Sequence, residues 1–494
     1  MIKWGISANS HDAAIAVFDN DKLVYASHSE RYSRVKNDGD LDIDMVSELK
    51  RKFGEPDRVI WYEKPLVKTW RQFTAGQGIR LKENNIKRYL LNYGIDVPVT
   101  YKWHHESHAA AGYYTSSFDE ATIVVIDAIG EFESLSFWQG RGNKMTKLWS
   151  QSYPHSIGLW YSAMTDRIGL KANEEEYILM GMAALGDHRR LSGDMLADFV
   201  ILNNSATEGW GIGFKNNLHR GCKDWRLELT TQQDMYDIAA ATQHVYELIF
   251  HKVMQDAVRL GSGNKNLVLM GGCALNCVAN SDAFTYFKNV WIMPNPGDAG
   301  SAIGAVLADN RTHIAWPGAY LGHDMGYKNT NGEIIDHLLE HKLCGLARGR
   351  AEYGPRSLGN RSLIADPRGA DVKARLNTIK HREEFRPFAP SVLAEYADEI
   401  FEMPTKLTPY MQYAVKCKRP DLYPAIVHFD GTSRVQTVTQ EDNPQFHALL
   451  TQWHARTGCP MLVNTSLNIK GEPIVNTHLD ADRWENKYGV TIFR

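Results

Sequence analysis

The segment Trp103-His104-His105-Glu106-Ser107-His108-Ala109-Ala110-Ala111 has the residue types and spacing of a metal site. Its alanine-rich tail favours a helix. On a helix, His104 and His108 are four apart and share one face, so both imidazoles can reach one ion. His105 falls ~100° around the helix and reads as a neighbour, not a ligand. Two imidazoles do not complete a site. Asp127 ends an apolar strand-like run, and Asp298 lies in Gly297-Asp298-Ala299-Gly300; both are placed to add an oxygen. Imidazole with carboxylate suits a borderline divalent ion such as iron(II), manganese or zinc. The competing reading is a packed or solvated helix face that happens to carry two histidines.

His11-Asp12 follows the first apolar run. A histidine there suits a general base for a hydroxyl group, oriented by Asp12; the plainer reading is a polar loop in which Asp12 caps a turn. Gly271-Gly272-Cys273-Ala274-Leu275-Asn276 follows another strand-like run, and its glycines would let a nucleotide or phosphate approach the backbone. Tight packing explains them equally well. Between Arg348 and Arg386 stand ten Lys/Arg and five Asp/Glu. Gly349 to Ser362, Lys380-His381-Arg382, Arg386 and Asn464-Thr465-Ser466-Leu467-Asn468 fall in or after this stretch. Arginines among glycines suit bidentate binding of phosphate or carboxylate. A second basic patch combines Lys68, Arg71, Arg80, Lys82, Lys87 and Arg88 with Trp70, Phe73 and Tyr89. It reads either as a solvated helix with long cationic side chains or as a surface for single strands or flipped bases.

The elements that must position these groups are α/β in character. Ile2–Ser7, Ala13–Phe18 and Leu23–Ser27 read as a strand meander, and Thr122–Asp127, Ser134–Trp138 and Met145–Ser150 repeat its grammar. Both copies place a polar loop after their first strand, which suggests a duplicated architecture with a cleft between the halves. Residues 232–260 carry apolar groups at helical spacing and end at Gly261-Ser262-Gly263. Asn266–Met270 and Val290–Met293 run into glycine-rich loops, where α/β proteins place ligands. The polar, turn-rich stretch 316–332 reads as a linker, giving domains at 1–330 and 340–494.

Composition bounds the rest. The chain has 494 residues, 43% hydrophobic and 23% charged, with a formal net charge of -3. These values describe a globular chain and exclude fibrous and largely disordered classes. The weak negative charge argues against a basic nucleic-acid coat. No apolar run approaches the ~20 residues of a membrane helix, and the N-terminal stretch lacks a secretory pattern. The six cysteines form no C-x-x-C pair, so reduced thiols and a cytoplasmic location are expected.

Taken together, these segments resemble the O-carbamoyltransferases of the Nod-factor and antibiotic-tailoring type (NodU/TobZ-like). The resemblance rests on Gly5-Ile6-Ser7 to His11-Asp12, His104-His105-Glu106-Ser107-His108-Ala109, Asp127-Ala128-Ile129-Gly130-Glu131, Gly271 to Asn276 and Gly297 to Gly300. In the second half it rests on Gly349 to Arg361, Glu384 to Ser391, Asp430 to Gln436 and Asn464 to Pro473. It implies a duplicated actin/sugar-kinase-like (ASKHA) N-terminal domain and a YrdC-like α/β C-terminal domain. The C-terminal domain would make carbamoyl-adenylate from carbamoyl phosphate and ATP (with Mg), and the N-terminal domain would pass the carbamoyl group to a hydroxyl. By motif, His104, His108, Asp127 and Asp298 would hold Fe(II) or another divalent metal. His11, Asp12 and Asp237 would act on the acceptor side. Gly130, Gly271, Gly272 and Asn276 would face nucleotide. Arg350, Arg356, Lys380, Arg382, Arg386, Ser466 and Asn468 would bind carbamoyl phosphate and ATP. Ile178 stands where the family usually has lysine, and the C-terminal tail is short. The acceptor is expected to be a small molecule, sugar or nucleoside. A 5-hydroxymethyl pyrimidine in nucleotide or DNA is the alternative acceptor, and a non-catalytic nucleotide-binding protein is the alternative class. A homodimer is the expected assembly.

Overall fold

The computed structural model describes residues 1–201, 211–369 and 371–494. The chain divides into two compact units, one of Met1–Val24 with Gly39–Trp316 and the other of Tyr25–Asp38 with Pro317–Arg494.

The first unit repeats one topology. Its strands are β1 (Ile2–Ser7), β2 (Ala14–Asp19), β3 (Lys22–His28, whose residues from Tyr25 onward are counted with the second unit), β4 (Arg58–Trp61) and β5 (Val99–Tyr101), then β6 (Glu120–Gly130), β7 (Glu133–Arg141) and β8 (Lys144–Ser152). The short pair β9 (Val200–Ile201) and β10 (Gly213–Phe214) follows, then β11 (Asn266–Met270) and β12 (Asn289–Trp291). One sheet runs β3-β2-β1-β4-β5 and the other β8-β7-β6-β11-β12. In each, the first strand is antiparallel to the second and parallel to the strand that returns after a helical crossover. This is the duplicated actin/sugar-kinase-like arrangement, and the two meanders read from the sequence are its two halves. The central strand β6 is buried continuously from Ala121 to Asp127, as a strand covered on both faces must be. The long helix spans Gln232–Leu260, opened by a reciprocal cap between Thr231 and Asp234.

Two helices set the distances at the centre of this unit. The helix His104–Thr115 packs against Ser301–Asn310, and a Cβ at Gly304 would lie 1.8 Å from the Ser107 carbonyl oxygen. A Cβ at Gly5 of β1 would lie 1.8 Å from the Ala302 carbonyl oxygen. No side chain fits either contact, so glycine permits the close backbone approach.

The second unit is built on a six-stranded mixed sheet. Its strands are β13 (Tyr320–Asp324), β14 (Leu343–Ala347), β15 (Arg350–Glu352), β16 (Arg361–Ala365), β17 (Ala389–Leu393), β18 (Ala414–Lys416), β19 (Thr432–Arg434), β20 (Gln436–Val438), β21 (Met461–Ser466) and β22 (Ile492–Phe493). The sheet order is β20-β17-β21-β16-β14-β22. The helices Asn331–His341 and Pro444–Thr457 cover it, burying Ile334, Leu338, Phe446, Leu450 and Trp453 against Leu346 and Ile364. Segment Tyr25–Asp38 is tied into this unit by arginines. Arg31 donates to the Gly354 carbonyl at 3.1 Å, and Arg34 to the carbonyls of Pro473 and Ile474 at 2.7 Å each.

Residues 317–330 belong to the second unit, not to a linker. β13 pairs antiparallel with β15 through an irregular register. Its sequence, Tyr-Leu-Gly-His-Asp, has no strong alternation, so partner pairing and not local pattern makes it a strand. The six cysteines are free thiols. Among the described residues, no helix is long and apolar enough to cross a membrane.

Candidate functional site

His104 opens its helix without help from the residue before it, since Trp103 offers no side-chain cap. Glu131 takes that role from across the sheet. Its carboxylate accepts the His104 N–H at 3.1 and 3.3 Å and the Lys64 N–H at 2.7 Å. Burial outweighs these contacts and pushes the Glu131 carboxyl up to about 7. Behind the ring, a Cβ at Gly130 would lie 2.3 Å from His104 Cδ2, so the glycine makes room for the imidazole.

The four side chains singled out for a metal converge. His104 Nε2 and His108 Nε2 lie 3.0 Å apart. Asp127 Oδ2 is 3.0 Å from the first and 3.7 Å from the second; Asp298 Oδ1 is 3.4 and 3.3 Å from them. The four ligand atoms all lie within 4.8 Å of one another, and all four residues are buried. At most one proton can lie between two ring nitrogens that face each other so closely, while two carboxylates bring negative charge. That donor set fits a divalent cation. Burial favours neutral rings, but Asp298 and Asp127 reverse this and raise both histidines above the usual value. Burial likewise opposes the two charged carboxylates, and the two histidines hold Asp127 well below the usual range. Neither Nδ1 has a hydrogen-bond partner among the described residues. Packing therefore orients the rings: Tyr62 lies 5.2 Å from His104 between centroids. His105 turns away, 2.7 Å from Ser136 Oγ.

The loop glycines serve this cluster. Gly272 N–H donates to Asp127 Oδ1 at 3.2 Å. Gly271 has φ +90, and a Cβ there would lie 2.2 Å from the Ile126 carbonyl oxygen, so both its conformation and its contact require glycine. Asn276 caps Ala279 N–H at 3.2 Å and exchanges hydrogen bonds with Gln243.

His11 borders the cluster. Its Nε2 is 3.7 Å from Asp298 Oδ2, its Nδ1 is 3.2 Å from Asp12 Oδ2, and half of the side chain is exposed. Burial favours the neutral ring, but Asp298 and Asp12 overcome it and push His11 up to about 10. Asp237 lies elsewhere. Its carboxylate accepts from Arg190 at 2.7 Å, Asp187 N–H at 2.9 Å and Gln233 at 2.9 Å, pinning residues 187–190 to the long helix. Both its oxygens are occupied, and no contact joins it to the histidine cluster among the described residues. The buried Ile178 sits in Glu176–Met182.

In the second unit, Lys380 Nζ donates to the Ser466 carbonyl at 2.5 Å, Ser466 Oγ at 3.2 Å, and the Asn468 carbonyl and Oδ1 at 2.9 and 3.0 Å. Burial, reinforced by Arg382 and Arg386, lowers this lysine well below its usual value. Arg382 donates to Asn377 Oδ1 at 2.7 Å and lies 3.9 Å from the Phe388 ring centroid. Arg386 pairs with Glu383 at 3.4 Å. These residues form one cationic group. Arg350 is directed to β13 instead, where it donates to the Leu321 carbonyl at 2.5 Å. Arg356 is half-buried in the turn after β15.

The patch from Lys68 to Arg88 is not one surface. Arg80, Lys82, Lys87 and Arg88 are exposed, as are Trp70 and Phe73. Lys68 and Arg71 are buried on the inner face of the helix Pro65–Thr74. Lys68 binds Glu63 at 2.7 Å and the Asn9 carbonyl at 2.9 Å. Sequence reasoning missed this inward face, and it missed Glu131 as a cap. The three-residue spacing of Lys68 and Arg71, out of phase with Trp70 and Phe73, was the available signal.

Comparison with known proteins assigns the chain as a whole. Residues 3–307 match the carbamoyltransferase N-terminus family and residues 335–493 the carbamoyltransferase C-terminus family. The chain belongs to the carbamoyltransferase family. It is 32% identical to nodulation protein NolO of Bradyrhizobium diazoefficiens, over 76% of this chain and 75% of that protein. It is 28% identical to the 3'-hydroxymethylcephem-O-carbamoyltransferase of Amycolatopsis lactamdurans, over 97% of this chain and 96% of that protein. Among solved structures, full-length HypF in its phosphate- and nucleotide-bound form is 13% identical and covers 63% of this chain and 55% of its own, with a TM-score of 0.34. Within this carbamoyltransferase, residues 308–334 fall between the two matched regions.

Proposed function

We propose that this carbamoyltransferase is an ATP-dependent O-carbamoyltransferase that acts on a hydroxyl-bearing small molecule. The observation that supports it most is the buried His104, His108, Asp127 and Asp298 cluster with the half-exposed His11 at its edge. The similarity to a hydroxymethylcephem O-carbamoyltransferase along nearly the whole chain supports the hydroxyl acceptor. Loss of Lys68 and Arg71 from the outer patch leaves DNA as an acceptor without its main support. A complete ligand set argues against a non-catalytic relic.

In this reading the second unit, YrdC-like in character, first hydrolyses carbamoyl phosphate to carbamate and inorganic phosphate; a carbamate oxygen then attacks the α-phosphate of ATP, pyrophosphate leaves, and carbamoyl-adenylate forms. Lys380, Arg382 and Arg386, with Ser466 and Asn468, bind the anionic reactants; Arg350 and Arg356 belong to the same proposed set by motif. In the first unit the acceptor oxygen attacks the carbamoyl carbon. The bond from that carbon to the AMP phosphate oxygen breaks, AMP leaves with the electron pair, and the hydroxyl proton passes to His11. His104, His108, Asp127 and Asp298 would hold iron(II) or another divalent ion, whose positive charge would offset the negative charge of the carboxylates and the adenylate phosphate. Offsetting that negative charge also favours the neutral His11 ring that a base requires. Asp12 holds the ring by its Nδ1. Gly130 and Gly271 to Asn276 keep the cluster's walls in register. Asp237 acts at a distance by fixing residues 187–190.

The test is an acceptor screen with carbamoyl phosphate and ATP, read by mass spectrometry for a carbamoyl adduct. His108→Ala is expected to lose bound metal by elemental analysis and to lose adduct formation, with its circular dichroism unchanged. Full transfer by a metal-free His108→Ala protein would refute the role of the cluster.

A further inference from the structure

Arg71 is 8% exposed, yet among the described residues its guanidinium has no ion-pair partner within 4 Å and no hydrogen bond, and its Nε is buried without an acceptor. A buried Nε without an acceptor costs free energy, while the two terminal nitrogens are not sealed from solvent and are open to a ligand. The nearby carboxylates are already engaged. Glu63 holds Lys68 at 2.7 Å, and Glu131 caps the His104 helix and Lys64. Both lie within electrostatic reach of Arg71, as does Tyr153. His219 lies within electrostatic reach of the guanidinium and docks on Gln77, just past the end of the Arg71 helix. His219 has a buried Nδ1 without a partner. Its Nε2 is 3.3 Å from Gln77 Nε2, and its ring stands edge-on to Tyr153 at 5.9 Å between centroids. Asn217 Nδ2 donates to Tyr153 Oη at 2.6 Å. Burial and the neighbouring arginines lower the His219 value, which favours the neutral ring; with Nε2 facing the Gln77 amide nitrogen, Nδ1 is the position for the N–H.

This group lies on the acceptor side of the first unit. One turn before Arg71, Lys68 binds the Asn9 carbonyl of the loop that carries His11. Glu131, within electrostatic reach of Arg71, holds the N-terminus of the helix that carries His104 and His108.

We infer that Arg71, with His219, forms a recognition subsite for an oxyanion on the acceptor, a phosphate or a carboxylate, and so selects acceptors that carry a negative charge as well as a hydroxyl. The inference rests on the transferase reading for the identity of the occupant, but the subsite itself is measurable without turnover. A planar guanidinium binds either oxyanion in a two-pronged manner, and a buried site makes the pairing strong.

The experiment is equilibrium dialysis of the full-length protein with labelled inorganic phosphate and, separately, labelled benzoate, comparing wild type with Arg71→Met and Arg71→Lys. Wild type is expected to bind one more equivalent of at least one of these anions than Arg71→Met, with the affinity of that site at least ~30-fold weaker or lost in the variant. Which anion shows the difference distinguishes phosphate from carboxylate. Arg71→Lys should retain a weakened site. The melting temperature of Arg71→Met should equal or exceed that of wild type, because removing an unpaired buried charge leaves no partner stranded. Equal anion stoichiometry in wild type and Arg71→Met, for both anions, overturns the subsite. With matched acceptors that differ only by the anionic group, Arg71→Met should raise KM for the anionic member and leave kcat within about threefold. An unchanged KM overturns the role in acceptor selection, whereas failure of every acceptor with intact anion binding refutes the transferase reading alone.

Discussion

Glu30 is a buried carboxylate whose charge the second unit depends on. Lys36 Nζ lies 2.9 Å from it and the Asn37 N–H donates to it at 3.0 Å. Burial opposes its ionisation, but Lys36 and Arg31 prevail and lower it from 4.5 to about 2. A carboxylate depressed in the folded state contributes stability above its unfolded value and loses that contribution as pH falls from about 4.5 through about 2. The shift corresponds to about 3 kcal/mol. Glu30→Gln should therefore melt well below wild type at pH 6, and the two should draw together as the pH approaches 2. Parallel melting curves across that window would show that Glu30 carries no such linkage. Residues 25–38 make this a property of the second unit, although they precede most of the first in sequence.

At the scale of elements, the cluster of His104, His108, Asp127 and Asp298 is a consequence of two helices held too close for any side chain. Asp298 opens the short helical turn Asp298–Gly300 that leads into Ser301–Asn310, and Gly304 of that helix meets the Ser107 carbonyl one turn below His104 and beside His108. Separating the helices moves Asp298 away from both imidazoles. Gly304→Val should lower the stability by about 1–3 kcal/mol through overpacking. It should also reduce bound metal per chain, read by thermal melting and elemental analysis together. Normal metal content in a stably folded Gly304→Val protein would mean that the loop of Asp298, not the helix contact, fixes the cluster. Other elements were legible in advance for simple reasons. The helix Gln232–Leu260 carries a sustained apolar stripe, a cap at Thr231 and a glycine at its end. β13 was not, because five residues without alternation acquire strand character only from β15.

At the scale of the molecule, each matched region carries its own cluster of reactive groups, and the two should fail separately. Without acceptor, pyrophosphate release from ATP and carbamoyl phosphate should persist in His108→Ala and fall by at least ~100-fold in Lys380→Met. Ser466→Ala, which removes one Lys380 contact and keeps the charge, should show an intermediate loss and serves as the folding control. Equal loss in both His108→Ala and Lys380→Met would show that the two clusters act as one centre. The division of labour proposed for the two units would then be wrong.

The sequence by itself determined the duplicated strand meander, the long helix and the pairing of His104 with His108, because each follows from local period and spacing. Position at the end of an apolar run and in a glycine-flanked turn pointed to Asp127 and Asp298, and motif resemblance added the Lys380, Ser466 and Asn468 group; the fold brings each set within contact of its partners. Tertiary structure alone decided three matters. It placed residues 25–38 with the C-terminal half, it buried Arg71 while leaving Trp70 exposed, and it engaged Asp237 with Arg190. In each case the deciding quantity is which side of an element meets another part of the chain. A one-dimensional pattern records what a side chain is, and only packing between distant segments fixes what it faces.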